Sequence, residues 1–181
     1  KAFGNLEMPF YFAQLSSLNR PSWPNFRDVQ RRLSLSVSHT GMVVTSDLGD
    51  SLNVHPTRKR EVGERFARLA LHEVFAQNLS CRGPEVKGFK QIGEQIRIQF
   101  EHAAQLKTSD MSAVREFEVV GTNGIFEPAK ATAEGNEIVI QTNIKEVQKV
   151  RYGWNPFSHG NLVNEAGLPA STFAIEINKD F

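Results

Sequence analysis

Residues 41–46, Gly41-Met42-Val43-Val44-Thr45-Ser46, form a short, nearly continuous apolar run. It passes directly into the polar loop Asp47-Leu48-Gly49-Asp50-Ser51-Leu52-Asn53-Val54-His55-Pro56. A run of that length without alternation predicts a strand buried on both faces, as in a parallel sheet. Upstream, Met8-Pro9-Phe10-Tyr11-Phe12-Ala13-Gln14-Leu15 repeats the pattern. Between the two runs Pro21 and Pro24 bracket a helix start, and Phe26, Val29, Gln30 and Leu33 fall on one helical face. Beyond the loop a long helix is predicted, with Thr57 near its start and Val62, Phe66, Leu69, Ala70 and Val74 at helical spacing. Strand, helix, strand, helix with buried strands reads as the end of an α/β parallel sheet occupying residues 1–81.

From residue 82 onward the period changes to two. Ile96, Ile98 and Phe100 alternate with polar neighbours, as do Phe117 with Val119, Ile138 with Ile140, and Val150 with Tyr152 and Trp154. Turn chemistry at Gly121 to Gly124 and at Glu134-Gly135-Asn136 separates these runs. Short alternating strands at this spacing predict an antiparallel β-sandwich over residues 82–181, with the change of regime punctuated by Gly83-Pro84. Tyr152 and Trp154 are expected in its core rather than as a sugar platform.

Composition removes several functional classes. The 181 residues are 40% hydrophobic and 23% charged, which excludes a disordered, collagen-like or coiled-coil chain. Twenty-one Lys and Arg against 20 Asp and Glu leave a net charge of +1, so no whole-chain field recruits nucleic acid or an anionic membrane. No apolar run approaches the roughly 18 residues needed to span a bilayer. The single cysteine, Cys81, excludes an internal disulfide and a multi-cysteine zinc site. His39, His72, His102 and His159 show no metal-ligand spacing and are expected to be surface or locally bonded. Arg58, Lys59 and Arg60 read as a solvated helix face. The chain opens at Lys1 and enters an apolar run by residue 8, which suggests a piece of something longer.

Ligands of open α/β sheets sit beyond the carboxyl ends of the strands, which makes Asp47 to Pro56 the leading site candidate. A histidine just before a helix N-terminus meets the positive end of the dipole, which favours the neutral imidazole a general base needs; His55 holds that place. The plainer reading is a histidine that only bonds its loop. Gly49-Asp50-Ser51-Leu52 spells the Gly-Asp-Ser-Leu string of one hydrolase superfamily. Nucleophilic serines of that kind open directly into a helix, whereas Ser51 is followed by Leu52, Asn53, Val54 and His55-Pro56.

The stretches Phe10-Tyr11-Phe12-Ala13-Gln14-Leu15, Pro21-Ser22-Trp23-Pro24 and Gln30-Arg31-Arg32 resemble the sialate O-acetylesterase family. So do Thr40 to Asp50, Asn53-Val54-His55-Pro56 and Lys59-Arg60-Glu61-Val62-Gly63. Near the other end Val150-Arg151-Tyr152-Gly153-Trp154-Asn155-Pro156, Asn161-Leu162 and Gly167-Leu168-Pro169-Ala170-Ser171 are similar to the family's closing motifs. The likeness runs through nearly the whole chain in order and is thinnest from Gly88 to Gln148, where only the strand pattern agrees.

That resemblance implies a flavodoxin-like α/β SGNH hydrolase part, C-terminal in its own domain, plus an accessory β-sandwich. It implies a serine esterase acting on an O-acetylated carbohydrate, with His55 as the catalytic histidine and Ser51 a coincidence. The nucleophilic serine and the Gly and Asn oxyanion donors would lie before Lys1, in a missing segment or a second chain. The superfamily's Asp three positions before the histidine is replaced here by Leu52, and Asn53 stands where many relatives have Asp. Asp50, with Asp47 behind it, is the nearer carboxylate, so a Ser-His dyad and a triad through Asp50 both stay open. No metal or organic cofactor is implied, and the family resemblance suggests a secreted or periplasmic setting. Asn155 to Ser171 would close the chain near the substrate cleft. The alternatives are a non-catalytic carbohydrate-binding or structural sandwich, and an acetyl xylan esterase of the same family.

Overall fold

The computed structural model describes residues 4–5 and 7–177. The chain begins with a strand-helix-strand unit: β1 (Phe10–Ala13), α1 (Trp23–Ser36) and β2 (Thr40–Val43). β1 and β2 pair in parallel, Phe10 opposite Thr40 and Ala13 opposite Val43. A 3-10 turn at Ser46–Leu48 and an extended loop lead to α2 (Lys59–Glu73).

The remaining strands are β3 (Glu85–Ile92), β4 (Gln95–Glu101), β5 (Lys107–Thr108), β6 (Phe117–Val120), β7 (Phe126–Pro128), β8 (Lys130–Glu134), β9 (Glu137–Gln141), β10 (Lys149–Tyr152), β11 (Leu162–Val163) and β12 (Phe173–Glu176). They form two four-stranded sheets, β3-β4-β9-β8 and β12-β10-β6-β7, and a small β11-β5 pair. Every pairing among them is antiparallel. The inward residues of the first sheet, Ile96, Ile98, Phe100, Ile138 and Ile140, meet Phe117, Val119, Val150, Tyr152 and Phe173 of the second in one apolar cluster. Rings interlock across it: Phe100 lies 6.0 Å from Phe173, and Phe117 4.8 Å from Tyr152. The period-two pattern therefore identifies the sandwich correctly. The β8–β9 turn places Gly135 at its first position with φ of 61°, the conformation a tight hairpin asks of glycine.

Three expectations need correction. A flavodoxin-like α/β part is absent: among the described residues the parallel sheet has two strands of four residues each, and the molecule is built mainly of antiparallel sheet. The apolar runs predict strands covered on both faces, but Phe10 of β1 is 62% exposed. Secondly, Phe26, Val29 and Leu33 form the exposed side of α1, at 53%, 47% and 45%. Its buried side is Pro24, Arg27, Asp28 and Ser34, residues at helical spacing but largely polar. Trp154 is also displaced from the core. β10 ends at Tyr152, and Gly153 with φ of 63° breaks the alternation, leaving Trp154 half-buried beside Arg151, whose guanidinium lies 5.6 Å from its ring centroid.

What anchors α1 is Arg27, which is fully buried. Its Nε donates to Thr172 Oγ1 (2.8 Å), Nη1 to the Pro156 carbonyl (2.9 Å), and Nη2 to the carbonyls of Gly153 (3.0 Å) and Asn155 (2.6 Å). Burial lowers its pKa to about 10, so the guanidinium stays charged at neutral pH. Nearby, Gln14 Nε2 donates to Ser171 Oγ at 2.6 Å. The segment after β10 is thereby fastened onto the β1–α1 unit.

Candidate functional site

The loop from Asp47 to Pro56 leaves the carboxyl end of β2, as the sequence predicts, and is held at its base. Asp47 forms a two-pronged ion pair with Arg65 of α2, Oδ1 to Nη1 at 2.7 Å and Oδ2 to Nη2 at 2.6 Å. Leu48 is buried beneath it at 1% exposure. The Asn19 amide donates to the Ser51 carbonyl at 3.1 Å. Gly49 packs so closely on the Ser17 backbone that a Cβ there would collide with the Ser17 amide nitrogen and carbonyl oxygen. Gly49→Ala should therefore destabilise the fold by about 1–3 kcal/mol and loosen the loop, read as a lower urea midpoint and faster limited proteolysis there.

Beyond Gly49 the loop is shaped by two successive side-chain turns. Asp50 Oδ1 accepts from the amides of Leu52 (2.8 Å) and Asn53 (2.9 Å), and Asn53 Oδ1 accepts from the His55 amide (2.9 Å). These are the local acceptor roles in which Asp and Asn excel. They also fix what the three predicted residues do together: Asp50 and Asn53 hold backbone, and neither is bonded to the imidazole. His55 is exposed, and among the described residues its ring makes no hydrogen bond. Leu52 beside it is 90% exposed and Val54 49%. Ser51 is exposed too, and its hydroxyl has no partner among the described residues.

The helix that follows begins later than expected. α2 starts at Lys59 with Arg58 at its N-cap, so Pro56, Thr57 and Arg58 intervene after His55. The dipole's influence fades within the first turn, so His55 does not sit at the helix terminus as the sequence suggests. Arg58 and Arg60 pair with Glu61 (2.7 Å) and Glu64 (2.8 Å), the solvated face the sequence suggests.

A second group of residues borders this region and escaped sequence reasoning. Glu116, with φ of 61°, accepts from Asn155 Nδ2 (2.9 Å), Ser158 Oγ (2.6 Å) and the His159 amide (2.7 Å). The Ser158 amide in turn donates to Ser17 Oγ (3.1 Å), and Ser17 Oγ donates to the Ser46 carbonyl (2.6 Å). Segment 155–158 is thus tied to the same 14–19 turn that supports Gly49 and Ser51. Nothing in the spacing of Glu116 announces this. The one available signal is the polar stripe Arg27, Arg31 and Ser34 at helical spacing on α1, which faces this segment through Arg27.

No protein-family model matches the sequence, and no curated protein does. Among solved structures the chain is similar to a novel carbohydrate acetylesterase from Xanthomonas citri, with a TM-score of 0.88 and 29% identity over 95% of this chain. The match takes in 42% of that enzyme's chain, so this one spans less than half its length.

Proposed function

We propose that this chain is the histidine-bearing part of a carbohydrate acetylesterase whose serine nucleophile is supplied by polypeptide outside these 181 residues. The observation that carries the reading is the similarity to the Xanthomonas citri acetylesterase along almost the whole chain, coupled with its extending well beyond the matched part. Two features of the molecule agree with it. His55 stands exposed on a braced loop with its ring uncommitted, as a base awaiting a serine would. The outward apolar face of α1, Phe26, Val29 and Leu33, together with Phe10 of β1, is the surface that further polypeptide of the enzyme would cover.

In this reading residues 1–81 supply the His55 loop and residues 82–181 the sandwich that braces it. The serine attacks the acetyl carbonyl as His55 takes its proton. His55 returns that proton to the leaving sugar hydroxyl, then activates water to hydrolyse the acetyl-serine. Asp50 and Asn53 are positioning residues, so the chemistry is a serine-histidine dyad as far as this loop contributes. The motif resemblance favours an O-acetylated sialic acid as substrate; acetylated xylan carries the same ester and is the comparison substrate.

The test is hydrolysis of an aryl acetate and release of acetate from both sugars. The 181-residue chain alone should stay at the rate of a buffer-plus-imidazole control, and joining it to the remaining polypeptide of the enzyme should restore turnover. Robust turnover by the isolated chain would place the nucleophile within it and end the proposal.

A further inference from the structure

Away from the His55 loop, the end of α2 gathers three metal-ligating side chains that sequence spacing did not connect. His72 and Glu73 occupy the last turn of the helix. Just beyond it Ala76, with φ of 52°, reverses the chain, and the return segment brings Cys81 back to the helix end. One ligand atom from each of His72, Glu73 and Cys81 lies within 4.8 Å of the others. Tetrahedral zinc holds such atoms about 3.5 Å apart, a difference that small side-chain rotations close.

The surroundings prepare each ligand. His72 Nδ1 lies 3.0 Å from the Gln77 carbonyl. A carbonyl can only accept, so Nδ1 is the donor in this contact and Nε2 is the nitrogen left for a metal, the arrangement in which a zinc-bound histidine is held by a backbone carbonyl. Arg82 Nη2 donates to Glu73 Oε1 at 3.0 Å, which orients the carboxylate and leaves Oε2 without a hydrogen bond among the described residues, and the same guanidinium interacts with the Cys81 side chain. The return segment is pinned by Arg68 Nη1 on the Ser80 carbonyl at 3.2 Å. A cation here also faces the negative end of the α2 dipole.

We propose that His72, Glu73 and Cys81 form a zinc-binding site that clamps the end of α2 to the segment leading into β3. Sulfur, imidazole nitrogen and carboxylate oxygen are the donor set of a borderline-soft divalent ion, and three protein ligands leave a fourth position for water. On binding, the Cys81 S–H bond breaks, a Zn–S bond forms and the proton passes to buffer. The nearby Glu85, Glu101 and His102 are a second set of potential ligands, and His102 Nε2 is 3.8 Å from Glu85. That set offers two carboxylates facing each other across β3 and β4, with no sulfur, and serves as the internal control.

The experiment titrates zinc sulfate into the chelator-treated 181-residue chain by calorimetry, with cobalt as a spectroscopic substitute. Expected are one equivalent bound with Kd of about 10 µM or tighter, a raised Tm, and a thiolate-to-cobalt charge-transfer band. Cys81→Ser and His72→Ala should each weaken binding about tenfold or more, and Cys81→Ser should remove the band. His102→Ala should leave binding unchanged. Absence of stoichiometric binding to the unmodified chain would overturn the proposal, as would binding that survives Cys81→Ser but is lost in His102→Ala.

Discussion

Replacing Arg27 by Met is expected to cost the protein about 3 kcal/mol or more of unfolding free energy, seen as a large drop in the urea midpoint at unchanged slope. The substitution preserves most of the side chain's bulk, so little of the loss would come from a cavity. It arises because the guanidinium is the shared donor to Thr172 Oγ1 and to the carbonyls of Gly153, Asn155 and Pro156. Removing it strips the Asn155 carbonyl of its donor and costs Gly153, Pro156 and Thr172 Oγ1 a bond each, although Gly153 keeps Thr172 Oγ1 and Pro156 keeps the Leu18 amide; a buried acceptor left unpaired costs about 1–3 kcal/mol before relaxation or water entry. Among the described residues Arg27 makes no ion pair at contact distance, so the carbonyl cradle, with the Glu116 carboxylate acting at longer range, balances the buried charge. Arg27→Lys keeps the charge but has a single ammonium in place of a flat fork, and should recover only part of the stability. If Arg27→Met unfolds at the same midpoint as the unmodified chain, the stapling role is wrong.

The second large effect concerns chemistry. In the proposed enzyme His55→Ala should lower kcat on the order of 10³-fold or more, because the serine would lose its proton acceptor and the leaving sugar its donor. Ser51→Ala should remain within about tenfold of the unmodified enzyme, since the proposal gives its hydroxyl no role. Asp50→Asn should behave like Ser51→Ala. The Asp50 carboxylate is committed to the amides of Leu52 and Asn53, and an asparagine oxygen can accept both bonds.

How much of this was legible in the sequence depends on what kind of neighbour each residue has. The sandwich was readable because strands β4, β6, β9 and β10 each have one face on the core, and alternation records that directly. The parallel pair of β1 with β2 and the helices after each were readable from punctuation by proline and by the polar loop. The extent of the α/β part was not, because an apolar run reports a strand's preference for cover and not whether cover is there. α1 shows the same failure in sharper form: its apolar stripe is exposed, and its buried stripe is chosen by hydrogen-bond partners at Gly153 to Pro156 and Thr172, more than 120 residues away. His55, Asp50 and Asn53 were found as a local cluster because their spacing is local. Which of them bonds which could be settled only by the turn geometry, where both acceptors point to backbone amides. Glu116 and the His72–Cys81 pairing are products of chain reversal at left-handed residues, for which spacing carries no signal.

The central claim is that His55 serves a serine that is not Ser51. The most direct measurement is kcat/KM for an acetyl ester in the completed enzyme, comparing His55→Ala with Ser51→Ala and checking both variants for native circular dichroism. Expected is a collapse of roughly 10³-fold or more for His55→Ala beside a near-normal Ser51→Ala. Equal collapse of the two folded variants, or full activity of His55→Ala, would contradict it.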